Sequence, residues 1–280
     1  MIGLGLGLSK SSFVPSFKGI LQTHTGSVAA YSLRRLSNTY SGPLVNVRRA
    51  SDNSQADIGF TASGNLDVDG LRLHCQGTDG FVAKWYDQSG NGRNFAQDTA
   101  ENQPKIFTSD SIITMTGKSQ PSIEFSVDSK FMNLGSQFTF TSEFFMHFVL
   151  EDLTNSNSFG VLLNQDGSTH NRIRILANGK SHLKINNSSA IENSGVFSQS
   201  PVFYAIQRDS SNAVKQFIGA TEKASDTNSD DFAVLFRLGI NQGTASTHAL
   251  RAKVSEMIFY NQDMSSSRTA ITTDATEYFL

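Results

Sequence analysis

A single cysteine, Cys75, stands in 280 residues, so no disulfide can form within the chain. A small secreted scaffold stapled by bridges is thereby excluded, and manufacture in a reducing cytoplasm is the expectation. Charge is also sparse: 17% of residues carry it, and the net charge is −2. With no basic run or stripe, nothing points to nucleic acid, and with no acidic tail nothing points to a solvating role. No apolar run reaches the ~20 residues of a membrane span. Residues 1–8 are apolar and glycine-rich, but they lack the basic start and the length of a secretion signal. No G-x-S-x-G elbow, P-loop or dinucleotide fingerprint occurs. The histidines, at 24, 74, 147, 170, 182 and 248, do not pair at ligand spacing on a helix, so zinc has no support. His147 lies in an apolar strand pattern and is read as half-buried, with its hydrogen bonds satisfied.

What the chain does have is phenylalanine, 21 of them, set among frequent Ser, Thr, Asn and Gly. Aromatic residues fit a half-buried pleated surface and the polar residues fit its turns. From residue 105 the pattern is strand after strand, over 105–108, 122–127, 143–152, 159–163, 172–177, 182–186, 202–208, 214–219, 234–240 and 253–260. Asn178-Gly179, between two short apolar runs, is a hairpin signal. Earlier, 44–49 reads as a strand and 51–55 as a turn, while 66–75 is either a short helix or an irregular connection. Ala29, Leu33, Leu36 and Tyr40 recur at helical spacing after a capping Ser27, which predicts a short helix over 27–38. Residues 265–279 predict a second helix. Residues 1–26 read as an extended arm, with Pro15 and Gly19 opposing helix, and 27–280 as one all-β domain, an antiparallel sandwich or jelly roll.

The centre of the pattern is Trp85-Tyr86-Asp87-Gln88-Ser89-Gly90-Asn91-Gly92-Arg93-Asn94, which holds the only tryptophan. An apolar strand enters a tight polar loop in which Gly90 and Gly92 supply positive φ. Two readings of the loop stand side by side. In one, its Asx side chains satisfy their own backbone. In the other, Asp87, Ser89 and Asn91, with Gly92 and then Asp98, occupy positions 1, 3, 5, 6 and 12 of a calcium loop, offering hard oxygens at alternate positions. Calcium is the one cofactor this pattern supports.

Two passages carry a resemblance. Ala30-Tyr31-Ser32-Leu33-Arg34-Arg35-Leu36, Tyr40-Ser41-Gly42-Pro43-Leu44-Val45-Asn46-Val47-Arg48-Arg49 and the Tyr86-Asp87-Gln88-Ser89-Gly90 loop together resemble the catalytic domain of family 54 α-L-arabinofuranosidases. The same combination resembles phage virion proteins. Lys253-Val254-Ser255-Glu256-Met257-Ile258-Phe259-Tyr260 and the residues after it are similar to the closing strand and helix of concanavalin A-like lectin/glucanase domains. Both resemblances imply a concanavalin A-like sandwich with short N-terminal and C-terminal helices.

A fold does not supply chemistry. A retaining glycosidase needs two carboxyl groups about 5 Å apart. By resemblance, the acid should follow the tract Leu238-Gly239-Ile240, but Asn241 and Gln242 stand there. The nucleophile should lie mid-domain, but 167–190 holds neither Asp nor Glu. The family's paired cysteines are absent as well. A relocated pair, Asp166 with Glu192, is the alternative. On this reading the chain is not an enzyme. It is a virion protein, a tail fibre or tip component assembled in a host cytoplasm. The expected partners are other virion proteins through the arm, further copies of the chain in a trimer, and a host surface glycan. A capsid decoration protein is the second reading and an arabinofuranosidase-like hydrolase the third. Trp85, Tyr204 and Tyr260 are the aromatic candidates for a sugar platform, each weighed against a place in the core.

Overall fold

The computed structural model describes residues 17–280 except 126–129, 154–158, 166–170, 187, 198–199, 235–236 and 240–247. After a four-residue helix, α1 (Ile20–Thr23), the first half of the chain forms β1 (Ser27–Ser32), β2 (Val45–Arg49), β3 (Gln55–Ile58), helix α2 (Val68–His74), β4 (Gly80–Trp85), β5 (Phe95–Ala96), β6 (Lys105–Phe107), β7 (Ile123–Phe125), β8 (Met132–Leu134) and β9 (Phe138–Phe140). The second half forms β10 (Phe144–Asp152), β11 (Phe159–Asn164), β12 (Arg172–Leu176), β13 (Ser181–Lys184), β14 (Ile191–Glu192), β15 (Val202–Arg208), β16 (Ala213–Ile218), β17 (Thr221–Thr227), β18 (Phe232–Val234), β19 (Arg237–Leu238), β20 (Ala252–Tyr260) and helix α3 (Arg268–Phe279). The expected all-β antiparallel architecture is what forms.

One layer runs β17-β16-β15-β10-β20, with β1 and β7 sharing the far edge of β20. The other runs β14-β13-β12-β11-β19-β8-β5-β4-β2-β3. β6 bonds to both β4 and β7 and joins the layers. Between them lies one apolar cluster. Met146, Phe148, Tyr204 and Met257 meet Val45, Val82, Ile173 and Leu183 there. Each side chain of this size contributes about 1.5–3 kcal/mol when fully buried. A second seam lies on the other face of the first layer, where α3 and α1 cover it. Ile20, Ala30, Phe145, Ala205, Ile258 and Ile271 pack there, and Val149, Phe203, Ala275 and Phe279 continue the seam.

The helix expected over 27–38 is a strand, β1, hydrogen-bonded antiparallel to β20. Its spacing misleads because β1 is buried on both faces. Ala29 and Tyr31 enter the main core while Ala30 enters the seam under α3. A doubly buried strand has no polar face, so it mimics an apolar helical stripe. Of the strand expected over 234–240, residues 235–236 and 240 lie outside the described residues, and the described ends pair apart. β18 pairs with β9, whereas β19 pairs with β8 and β11. Phe232 stacks with Phe140 and Phe144 where β18 pairs with β9. Residues 1–16 of the expected arm lie outside the described residues. From residue 17 the chain is not simply extended, because α1 buries Ile20 and Leu21 on the seam. Trp85, Tyr204 and Tyr260 are all fully buried, so none of them offers a platform to a sugar.

His147 is a further correction. It points into the seam, is fully buried, and among the described residues has no hydrogen-bond partner on either ring nitrogen. Its neighbours across the ladder are Ala205 and Ile258, which offer no side-chain donor or acceptor. Burial, reinforced by the nearby Arg34 cation, holds its pKa down at about 3.

Candidate functional site

The Asp87 loop is built as a staple. Asp87 Oδ1 accepts from the Ala30 and Ser89 amides at 2.9 Å each, and Oδ2 accepts from Ser89 Oγ at 2.8 Å and the Arg93 amide at 3.0 Å. Gln88 Oε1 accepts from the Leu36 amide at 2.8 Å, while its Nε2 donates to the Ser32 and Arg34 carbonyls. Asn91 Nδ2 donates to the Ser27 and Val28 carbonyls. The Tyr31 hydroxyl closes the arrangement by donating to the Arg93 carbonyl. The Ala30–Leu36 and Tyr86–Gly92 motifs are therefore two halves of one hydrogen-bonded unit.

Of the residues in the calcium reading, the structure brings Asp87, Ser89 and Asn91 together, with Gly90 and Gly92 at φ +89° and +71°. It does not bring Asp98 to them. Asp98 is exposed beside Asn46, Gln55 and Lys84. A carboxylate has about four acceptor sites, and those of Asp87 already face four donors of the chain. This is the geometry of the self-bonded reading. A cavity of about 360 Å³ adjoins the loop, lined by Ser37, Tyr40, Ser89, Asn91 and their neighbours. Among the described residues its lining holds no carboxylate, so it lacks the carboxyl pair that glycoside hydrolysis requires.

Other buried carboxylates are committed. Glu256 is fully buried and forms a two-pronged pair with Arg34 at 2.8 and 3.1 Å, and Arg34 also holds Asp274 at 2.6 Å. Glu151 accepts from the Thr116 amide and pairs with Lys253.

The outer face of the β12–β14 hairpins differs. Ile173, Ile175, Leu183 and Ile191 point inward, so the alternate residues Arg172, Arg174, His182, Lys184 and Glu192 share the opposite face. The registers place Arg174 beside His182 and His182 beside Glu192, with Arg172 beside Lys184. Glu192 is the one carboxylate on these three strands. Its side chain is 46% exposed and meets Lys180 Nζ at 2.8 Å. That hydrogen bond and the ammonium charge hold its carboxyl below the usual range, so it is ionised at neutral pH. Asp166, its expected companion, and residues 240–243 lie outside the described residues.

Sequence comparison bears on the same chain. The family described as "Alpha-L-arabinofuranosidase B, catalytic" matches residues 21–120. A probable alpha-L-arabinofuranosidase B of Aspergillus fumigatus is 41% identical over 75 residues, which cover 26% of this chain and 15% of that protein. Alpha-L-arabinofuranosidase B of Emericella nidulans is 35% identical over 98 residues, 34% of this chain and 19% of that protein. The chain thus matches only a fraction of the length of these relatives. Among solved structures, a GH54 α-L-arabinofuranosidase variant soaked with 4-nitrophenyl α-L-arabinofuranoside superposes over 90% of this chain and 63% of its own. The TM-score is 0.67 at 18% identity. An arabinofuranosidase complexed with arabinofuranosyl-α-1,2-xylobiose superposes over the same shares, with a TM-score of 0.64. At such identities the likeness is one of fold.

These findings overturn the virion reading. The family model and the relatives named above are arabinofuranosidases, two of them from fungi. The expectations of a non-catalytic role and of a place on a virion assembled in a host cytoplasm fall with it. Of the relocated pair that the sequence offers as the alternative, Asp166 with Glu192, Glu192 is the carboxylate that the β13–β14 pairing sets on the open face.

Proposed function

We propose that the chain is a glycoside hydrolase acting on α-L-arabinofuranosides, with Glu192 as its nucleophile. One observation carries the residue assignment: Glu192 is ionised, half-exposed and alone among the acidic residues of β11–β14 on the open face of a sandwich whose fold matches GH54 enzymes. A carboxylate in that state can attack an anomeric carbon, with water later hydrolysing the glycosyl-enzyme. Lys180 keeps Glu192 deprotonated until the substrate arrives. The second carboxyl group that such chemistry requires does not lie on β12–β14, where Glu192 is the one acidic residue.

The test is release of 4-nitrophenol from 4-nitrophenyl α-L-arabinofuranoside. The wild-type chain should release it, and Glu192→Gln should lose at least about 10³-fold in kcat while melting at an unchanged temperature, because an amide can neither attack nor leave. A folded wild-type chain with no turnover would refute the activity. A fully active Glu192→Gln would refute the assignment.

A further inference from the structure

The face around Glu192 carries more positive charge than a neutral pentoside calls for. Arg172 and Arg174 leave β12 on the same side, with Lys184 and His182 opposite them on β13. Glu192, the only acidic residue on these strands, already answers Lys180. Among the described residues, no side-chain hydrogen bond or ion pair engages Arg172, Arg174, His182 or Lys184. The Nε atoms of both arginines and Nδ1 of His182 are buried without a partner. Packing fixes the arrangement instead. The Arg174 guanidinium lies 3.8 Å above the Phe159 ring, which stacks on His248 at 4.2 Å. Burial and the adjacent Arg172 charge together pull Arg174 down to about 10, and burial, with both arginines, lowers His182.

Like charges facing each other across a ladder destabilise a sheet, and a partly buried cation without a counter-charge is costly. An external anion removes both costs. A guanidinium fork fits a carboxylate with two parallel hydrogen bonds, which a hydroxyl cannot reproduce. We propose that Arg172, Arg174, Lys184 and His182 form a subsite for the carboxylate of an acidic saccharide, beside Glu192. The saccharide half of this rests on the hydrolase reading above. The carboxylate half rests on cations that no side chain among the described residues pairs.

Isothermal titration calorimetry on the full chain tests it. The probes are a xylo-oligosaccharide bearing one glucuronic acid and the same oligosaccharide with that acid reduced to glucose. The acidic probe should bind about tenfold more tightly or better at about 20 mM salt, and the gap should shrink at about 0.5 M as the charges are screened. Arg174→Gln should abolish the preference, and Lys184→Gln should reduce it severalfold. Equal affinities for the two probes would overturn the subsite. So would an intact preference in Lys184→Gln, the variant that leaves the Phe159 stack untouched. Inorganic sulfate competing as tightly as the acidic probe would overturn the saccharide specificity. Binding is read without turnover, so the two proposals fail separately. A chain that prefers the acidic probe but releases no 4-nitrophenol loses only the hydrolase reading. A chain that hydrolyses the aryl glycoside without preference loses only the subsite.

Discussion

Replacing Asp87 should show how much the fold depends on its staple. Asp87 is 5% exposed and accepts four hydrogen bonds, three of them from backbone amides. Asp87→Ala removes all four at once. A hydrogen bond to a charged group contributes about 1.5–3 kcal/mol, and a buried donor left unpaired costs about 1–3 kcal/mol. The Ser89 and Arg93 amides lie in half-buried residues and regain water, whereas the amide of fully buried Ala30 does not. The net loss should therefore be about 3–4 kcal/mol, well short of a simple sum, or about 8 °C in melting temperature for a chain of this size. Asp87→Asn keeps one carbonyl oxygen for Ala30 and Ser89 but turns an N–H₂ toward the Arg93 amide, so it should lose about half as much. Urea unfolding followed by tryptophan fluorescence is the assay. Trp85 is the only tryptophan, is fully buried, and lies two residues from the substitution. A loss below about 1 kcal/mol for the alanine variant, or equal losses for the two variants, would refute the staple.

His147 makes a second test. With both nitrogens unpaired, His147→Leu should stabilise the fold by about 1–2 kcal/mol. Its folded pKa of about 3 lies below the ordinary histidine value of about 6.5. The unfolded chain therefore takes up the proton first, and stability at this site is full above pH ~6.5 and falls by about 1.4 kcal/mol per unit from there toward pH 3. His147→Leu should flatten that acid limb in a pH series of urea melts, and parallel limbs would contradict the burial argument. Cys75 is fully buried, and burial pushes its thiol up to about 11, so Ellman's reagent should titrate no thiol in the native chain and one in urea. Rapid reaction of the native thiol would place Cys75 at an accessible surface. Calcium at about 5 mM, or chelator, should leave the melting temperature unchanged, because the four acceptor directions of Asp87 face chain donors. A rise of more than about 2 °C would restore the metal reading of the loop.

Legibility in the sequence followed burial. Strands with one dry and one wet face announced themselves, as β12 does with Arg172, Ile173, Arg174 and Ile175 alternating. β15 was legible by its length and composition instead: it is buried along its whole run, and its boundaries at Val202 and Arg208 are those the pattern predicts. β17 went unread because Thr221–Thr227 lies on an edge, largely exposed, and carries no apolar rhythm. β1 was misread for the opposite reason, since both of its faces are dry.

The site divides along the same line. Composition and turn chemistry alone determined an antiparallel β fold, a hairpin at Asn178-Gly179, and a self-bonding loop after Trp85, because these depend on neighbours within a few residues. Tertiary structure decided that the loop's wording serves β1, since Ala30 and Leu36 lie more than fifty residues from Asp87 and Gln88. It also decided that Glu192 stands in one row with His182 and Arg174. Three residues spread over eighteen positions meet there only through strand register, and register is set by which faces are buried.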